Sequence, residues 1–150
     1  MDAQLKARIL SILDKNRTMT IATLRPDGWP QATKVGYGSK ELTLYFLCAP
    51  ESQKAANLAL DDRVSLTVDD DCAQVMEITG LSMAAHATLV EDRDEAVAAM
   101  ALLVAKYPEQ ALLPGPMPGP EDARIFRVVP TVISVLDYSK GFGHTDLVNC

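Results

Sequence analysis

Cysteine is scarce in this sequence, and its placement argues against two kinds of cross-link. The chain has 150 residues and 3 cysteines, Cys48, Cys72 and Cys150. They lie far apart, form no Cys-x-x-Cys pair and have no histidine at ligand spacing, so we expect neither a disulfide framework nor a metal site. We interpret Cys48 as a small buried residue on a strand.

Clustered positive charge is also missing. The chain carries 14 Lys and Arg residues against 20 Asp and Glu residues, a formal net charge of −6, and its basic residues are scattered. Proteins that bind nucleic acid through its phosphates need a basic face that releases counterions. We therefore expect no nucleic-acid partner.

Long apolar runs are absent as well. No apolar stretch approaches the roughly 20 residues that a membrane-spanning helix needs, and the first residues lack the apolar core of a secretory signal. The sequence therefore predicts a cytoplasmic protein with no membrane partner. Its length and its hydrophobic fraction of 48% fit one globular domain over residues 1–150.

The first part of the chain reads as a helix followed by a hairpin. Apolar residues at helical spacing predict an amphipathic helix over residues 4–15. Residues 18–24 and 31–37 are rich in β-branched side chains, and Pro26-Asp27-Gly28 between them is a turn sequence. A second turn at 38–41 leads into a third strand of the meander.

The remaining elements alternate between strands and helices without a regular period. We predict strands over 42–48, 63–68, 75–90 and 123–137, helices over 52–60 and 91–106, and a polar tail over 138–148. Gly80 indicates a bulge or a sharp bend in the long strand, and Pro130 indicates an edge or bulge in the last strand. This order favours a mainly β (α+β) fold, an antiparallel barrel of six strands with flanking helices.

The start of the helix at 52–60 is the first candidate site. A strand leads into Ser52-Gln53-Lys54, so a hydroxyl, an amide and an ammonium stand where free helix N–H groups concentrate positive potential. Such a place stabilises a phosphate. The alternative is that Ser52 is only an N-cap and Lys54 only a solvated side chain.

Three segments in order resemble a known family. They are TIATLRPDGWPQATKVGYG (20–38), LTLYFLCAPESQKAANLALDDRVSLTV (42–68) and ITGLSMAAHATLVED (78–92). Together they resemble the pyridoxamine 5′-phosphate oxidase-like family, the FMN-binding split β-barrels, over roughly residues 5–136. Residues 141–144, Gly-Phe-Gly-His, resemble the tail of a general-stress-protein-like subgroup.

The resemblance implies a homodimer that holds FMN at the subunit interface. The positions that match the family's cofactor residues are Gln31, Thr33 and Lys34 on the second strand, Phe46 and Leu47 with their backbone toward the flavin ring, and Ser52, Gln53 and Lys54 at the phosphate. It also implies a flavin-dependent oxidoreductase, whose substrate and electron donor stay open.

Two departures from the family pattern bear on activity. The oxidase proper carries arginines at the positions of Gln31 and Gln53, so two positive charges are missing here. The oxidase's C-terminal substrate motif, with its Arg and His, is also absent. We therefore expect a flavoprotein other than the vitamin B6 oxidase.

Several alternatives remain open at this level. The chain could hold FMN without turnover, as a stress-related module, or bind a deazaflavin or haem, for which His86 and His144 are the candidate axial ligands. Asn57 either supports the phosphate site or is a plain helix-face residue. Trp29 either packs locally or covers a partner's flavin, and the Pro-rich segment 113–120 is either a linker or a lid.

Overall fold

The computed structural model describes all residues except 113, 114, 116, 117 and 120, so the predicted linker or lid lies largely outside the described residues. The described part contains three α-helices, eight strands and three short 3₁₀ segments. In chain order they are α1 Ala3–Lys15, β1 Thr18–Leu24, β2 Pro30–Gly36, β3 Gly38–Lys40, β4 Thr43–Cys48, α2 Gln53–Leu60, β5 Arg63–Asp69, a 3₁₀ turn Val75–Glu77, β6 Thr79–Leu89, α3 Arg93–Ala105, a 3₁₀ turn Pro108–Leu112, β7 Arg124–Asp137, a 3₁₀ turn Tyr138–Lys140 and β8 Thr145–Asn149.

The strands form one antiparallel sheet that curls into a split barrel. Its order is β2-β1-β5-β6-β7-β4-β3, with β8 added on β7. Only Tyr37 separates β2 from β3, so the first and last strands of this order are consecutive in the chain. The predicted mainly β barrel with flanking helices is confirmed.

The predicted count of six strands is wrong, because two segments without a strand-like pattern pair with distant partners. Residues 38–40, predicted as part of a turn, pair with Thr43–Tyr45 as β3, and the tight turn follows at Glu41, whose φ is 52°. Thr145–Asn149, predicted as a polar tail, pairs with β7 as β8 and buries Val148. In both cases the partner strand, not local propensity, determines the conformation.

Two details of the long strands also differ from the prediction. The register irregularity of β6 lies between Ala84 and Ala85, opposite the residue after Pro130, so Pro130 marks a bulge and Gly80 does not. Gly80 is needed for a different reason, because a Cβ there would lie 3.1 Å from the Cβ of Asp69. The glycine allows close packing of β6 on β5.

The α3 helix packs in a separate cluster with Ile125, and the main core fills the barrel and includes residues of α1 and α2. Ile9 and Leu13 of α1 are fully buried in it, as the apolar stripe predicts. On α3 the buried residues are Ala99, Met100 and Leu103, whereas Val97 is 54% exposed. None of the described helices is long and apolar enough to span a membrane.

Candidate functional site

The barrel is open between β2 and β4. The third strand of the predicted meander, β4, pairs with β7 and β3 and not with β2. Among the described strands, β2 has only β1 as a partner, and residues Phe46–Cys48 of β4 have only β7. Each strand therefore presents one unpaired backbone edge to the other, and we call this gap the split.

The start of α2 has the geometry that the sequence predicts. Ser52 is the N-cap of α2, and its hydroxyl oxygen accepts a hydrogen bond from the N–H of Ala55 at 3.2 Å. Lys54 lies in the first turn and makes no ion pair with any described residue. Ser52, Lys54 and the free N–H groups are thus neighbours at the first turn of α2, an arrangement that suits an anionic group.

A fully buried amide joins α2 to β2. Asn57 is 0% exposed, and its Oδ1 accepts from Gln53 Nε2 at 2.8 Å. Its Nδ2 donates to Gln31 Oε1 at 3.3 Å and to Thr23 Oγ1 at 3.0 Å. The two positions at which the oxidase proper carries arginines are therefore adjacent in space here and linked through Asn57.

The candidate residues of β2 divide between the two faces of the strand. Gln31 and Thr33 pair with Thr23 and Ile21, both buried, so they lie on the inner face. Lys34 pairs with Thr20 and lies on the outer, solvent-exposed face. A ligand that meets all three residues must therefore lie along the edge of β2, in the split.

Thr33 carries an unsatisfied polar atom. Within the described residues its Oγ1 is the buried side-chain oxygen without a hydrogen-bond partner. A buried hydroxyl left unpaired costs roughly 1–3 kcal/mol, so such groups usually have a partner. A ligand hydroxyl or carbonyl in the split would supply that partner.

An open cavity of about 410 Å³ bridges the split on its outer side. Its walls include Lys34 and Gly36 of β2, Leu47 of β4, Leu103 of α3, and Tyr107 and Gln110 beyond α3. Its size falls within the range of small-molecule sites, and its lining combines apolar and aromatic side chains with one ammonium. This combination suits a flat heteroaromatic ring beside two strand edges.

The structure brings most, but not all, of the predicted residues to the split. Lys34 and Leu47 share the cavity, and Gln31 and Gln53 share the Asn57 network. The side chain of Phe46 is fully buried, and its ring stacks on that of Phe126 with the centroids 5.4 Å apart, so only its backbone edge can meet a ligand.

Ser52 lines a second cavity, and it is absent from the lining of the cavity across the split. This cavity, of about 490 Å³, lies between α2, β6 and β7, and among the predicted site residues only Ser52 lines it. The split differs from this cavity in having two unpaired strand edges, and one of these strands, β2, carries the buried Thr33 hydroxyl. Tyr107 and Gln110 were missed, since they follow α3 in the chain and no local motif connects them to β2.

His86, His144 and Trp29 lie away from the cavity across the split. His86 Nδ1 is 2.9 Å from Asp62 Oδ1, and His144 Nε2 is 3.1 Å from Asp146 Oδ2. The bond to His144 and a second one to Lys140 hold the pKa of Asp146 below its usual range. Trp29 is 73% exposed in the turn between β1 and β2. Neither histidine lines the cavity across the split.

Comparison with known proteins places these features in a family. The family model described as pyridoxamine 5′-phosphate oxidase matches residues 5–137. No curated protein matches the chain. The family resemblance seen in the sequence is therefore confirmed, while the narrower likeness of residues 141–144 to the general-stress-protein-like subgroup stays a prediction.

Three solved structures illustrate the likeness in fold. The conserved hypothetical protein Rv2991 from Mycobacterium tuberculosis is 24% identical with a TM-score of 0.77, and the match covers 99% of this chain and 93% of that one. A heme binding protein from Mycobacterium smegmatis is 22% identical with a TM-score of 0.76, covering 99% of this chain and 58% of the other. HutZ, the heme storage protein from Vibrio cholerae, is 21% identical with a TM-score of 0.66, covering 84% and 89%.

Proposed function

Because this chain belongs to the pyridoxamine 5′-phosphate oxidase family, we propose that it binds FMN in the split and acts as a flavin-dependent oxidoreductase on a small molecule. The observation that carries the proposal is the buried hydroxyl of Thr33, which has no hydrogen-bond partner among the described residues and belongs to β2, a strand with one edge unpaired in the described sheet. Flavins offer ring carbonyls, ring nitrogens and ribityl hydroxyls that satisfy such groups.

The anionic tail would lie at the start of α2. There the Ser52 hydroxyl, the Lys54 ammonium and the first N–H groups of α2 provide donors and positive potential. Gln31 and Gln53 contribute neutral amide donors in place of the two arginines of the oxidase proper. This site would therefore hold the FMN phosphate with less positive charge, and the absence of the oxidase's C-terminal substrate motif argues against pyridoxamine 5′-phosphate as the substrate.

The ring would lie between the edges of β2 and β4. The backbone of Phe46 and Leu47 and the hydroxyl of Thr33 can bind its polar edge, and Leu47, Leu103 and Tyr107 can exclude water from its faces. Bound FMN supplies the hydride or electron transfer. The chain itself anchors and orients it, and no acid or base side chain is required.

We also propose the homodimer. The solvent side of α3 consists of Val97, Ala98, Ala101, Val104 and Ala105, with no charged residue between Ala96 and Ala105. A helix that is apolar on all sides is usually buried. A second copy would cover this face, and since Leu103 of the same helix lines the cavity, the partner would complete the wall of the site.

The absorption spectrum of the purified full chain tests the cofactor. We expect the two blue and near-ultraviolet bands of an oxidised flavin after FMN is added. An intense Soret band, with haem released on denaturation, would instead support haem, which two of the similar structures are named for and which His86 or His144 would have to ligate.

Two further measurements separate the remaining alternatives. Mass determination of ligand released by heat distinguishes FMN from a deazaflavin. Steady consumption of NADH or NADPH with an electron acceptor supports an enzyme, and its absence across donors and acceptors supports a flavin-binding module without turnover. The cytoplasmic location stays a prediction from the sequence.

A further inference from the structure

Asn57 uses its whole amide group inside the protein. Both of its N–H groups donate, one to Thr23 Oγ1 and one to Gln31 Oε1, and its carbonyl oxygen accepts from Gln53. The residue is 0% exposed, so none of these bonds is exchanged with water. A buried amide whose two N–H groups and carbonyl oxygen all have hydrogen-bond partners holds those partners in a fixed orientation.

That orientation decides which end of Gln31 is free. Because Gln31 Oε1 accepts from Asn57, the other end of the Gln31 amide is its Nε2, which carries two N–H donors. Nε2 makes no hydrogen bond with any described residue. Without Asn57 the amide of Gln31 can rotate, and its carbonyl oxygen can take the free position and repel an anion.

We propose that Asn57 is a positioning residue that makes the site selective for a phosphorylated flavin. It holds Gln31 with its N–H donors free for the anionic tail, so that one neutral side chain acts as an oriented donor at a position where the oxidase proper carries an arginine. The inference rests on the proposed function and assigns Asn57 a specific role within it. Asn57 itself does not contact the ligand.

The test compares FMN with riboflavin, which lacks the phosphate. Dissociation constants of both flavins are measured by fluorescence titration of the full chain for wild type, Asn57→Leu, Gln31→Leu and the double variant. We expect Asn57→Leu to lower the preference for FMN over riboflavin by about tenfold. In the Gln31→Leu background the same change should alter the preference by less than about twofold, because the two residues act as one unit.

Thr23→Val is the matched control. It removes another partner of Asn57, at a residue that is 2% exposed, and leaves the bond to Gln31 in place. It should lower the unfolding free energy to a similar extent as Asn57→Leu and keep the preference for FMN. If Asn57→Leu does not fold, Asn57→Asp replaces it. The change in FMN preference that Asn57→Asp still causes in the Gln31→Leu background then measures the effect of the added charge, and the rest of its effect measures the loss of orientation.

The outcomes distinguish a failure of the proposed function from a failure of the role given to Asn57. If wild type binds neither flavin, the proposed function is wrong and the inference is overturned with it. If wild type prefers FMN and Asn57→Leu keeps that preference, or if the effects of the two substitutions simply add, the role of Asn57 is overturned and the proposed function stands.

Discussion

The hydroxyl of Tyr37 donates a 2.7 Å hydrogen bond to the backbone carbonyl oxygen of Leu13, which joins the junction of β2 and β3 to the last turn of α1. Lys106, just after α3, donates to the same carbonyl oxygen, and its Nζ lies 4.7 Å from the centre of the Tyr37 ring. Two helices thus meet at the residue where β2 ends. This contact anchors the junction of β2 and β3 to both helices.

Replacing Tyr37 by Phe should lower stability and change its pH dependence. The lost hydrogen bond should cost about 1 kcal/mol of unfolding free energy near neutral pH. Burial, with a smaller effect from Asp14, raises the pKa of Tyr37 well above its ordinary value. Folded protein therefore keeps a proton that an unfolded tyrosine loses from about pH 10, so stability falls above that pH. Urea unfolding at several pH values should show a shallower fall for Tyr37→Phe.

Two comparisons attribute the fall in stability at alkaline pH to Tyr37. Burial lowers the pKa of Lys106, which makes stability rise with pH in the alkaline range, but this contribution is present in both proteins and cancels in the difference. Tyr138→Phe, where the ring packs edge-on against Phe142, is the control. Equal alkaline slopes for wild type and Tyr37→Phe would contradict the prediction.

Gly38→Ala should displace α3 and disturb the site. A Cβ at Gly38 would lie 2.7 Å from the Cβ of Leu102 and 2.9 Å from the backbone nitrogen of Leu103, and the helix backbone cannot yield locally. Overpacking of this kind costs about 1–3 kcal/mol. Because Leu103 lines the cavity, flavin affinity should fall together with stability, whereas Ser39→Ala on the same strand should leave both unchanged.

Lys54→Ala should weaken FMN binding and spare riboflavin. Loss of a charge-assisted contact to phosphate costs roughly 1–3 kcal/mol, which is about 5–150-fold in the dissociation constant. Fluorescence titration of the two flavins measures both values. Lys40→Ala removes an exposed lysine on β3, outside α2, and should change neither constant. A wild-type FMN constant in Lys54→Ala would rule out the ammonium as a phosphate ligand.

Charges on the solvent side of α3 should dissociate the homodimer. Val97→Lys combined with Val104→Lys places two ammonium groups on the apolar face, where a second copy would have to bury them. Light scattering after size exclusion should show a monomer. Ala7→Lys with Ser11→Lys, on the exposed side of α1, adds the same charge and should leave the dimer intact. A monomeric wild type, or a dimeric variant, would refute the interface.

The candidate site could be predicted only in part. Ser52 as an N-cap and Lys54 beside it follow from three adjacent residues, and the structure confirms that local geometry. The link from Gln53 through Asn57 to Gln31 could not be foreseen, because it joins α2 to a strand more than 20 residues away. The same is true of Tyr107, which reaches the cavity only because α3 packs on β3 and β4.

The sequence by itself determined the local elements of this protein: the stripe that buries α1, the turn at Gly28 with its φ of 82°, and the start of α2. These depend on periodicity, capping and backbone freedom, which act over a few residues. Only the tertiary structure decided that β4 pairs with β7 and not with β2, that residues 38–40 and 145–149 become strands, and that a split remains. Strand partners are chosen by burial and hydrogen bonding across the whole chain, and no local pattern encodes that choice.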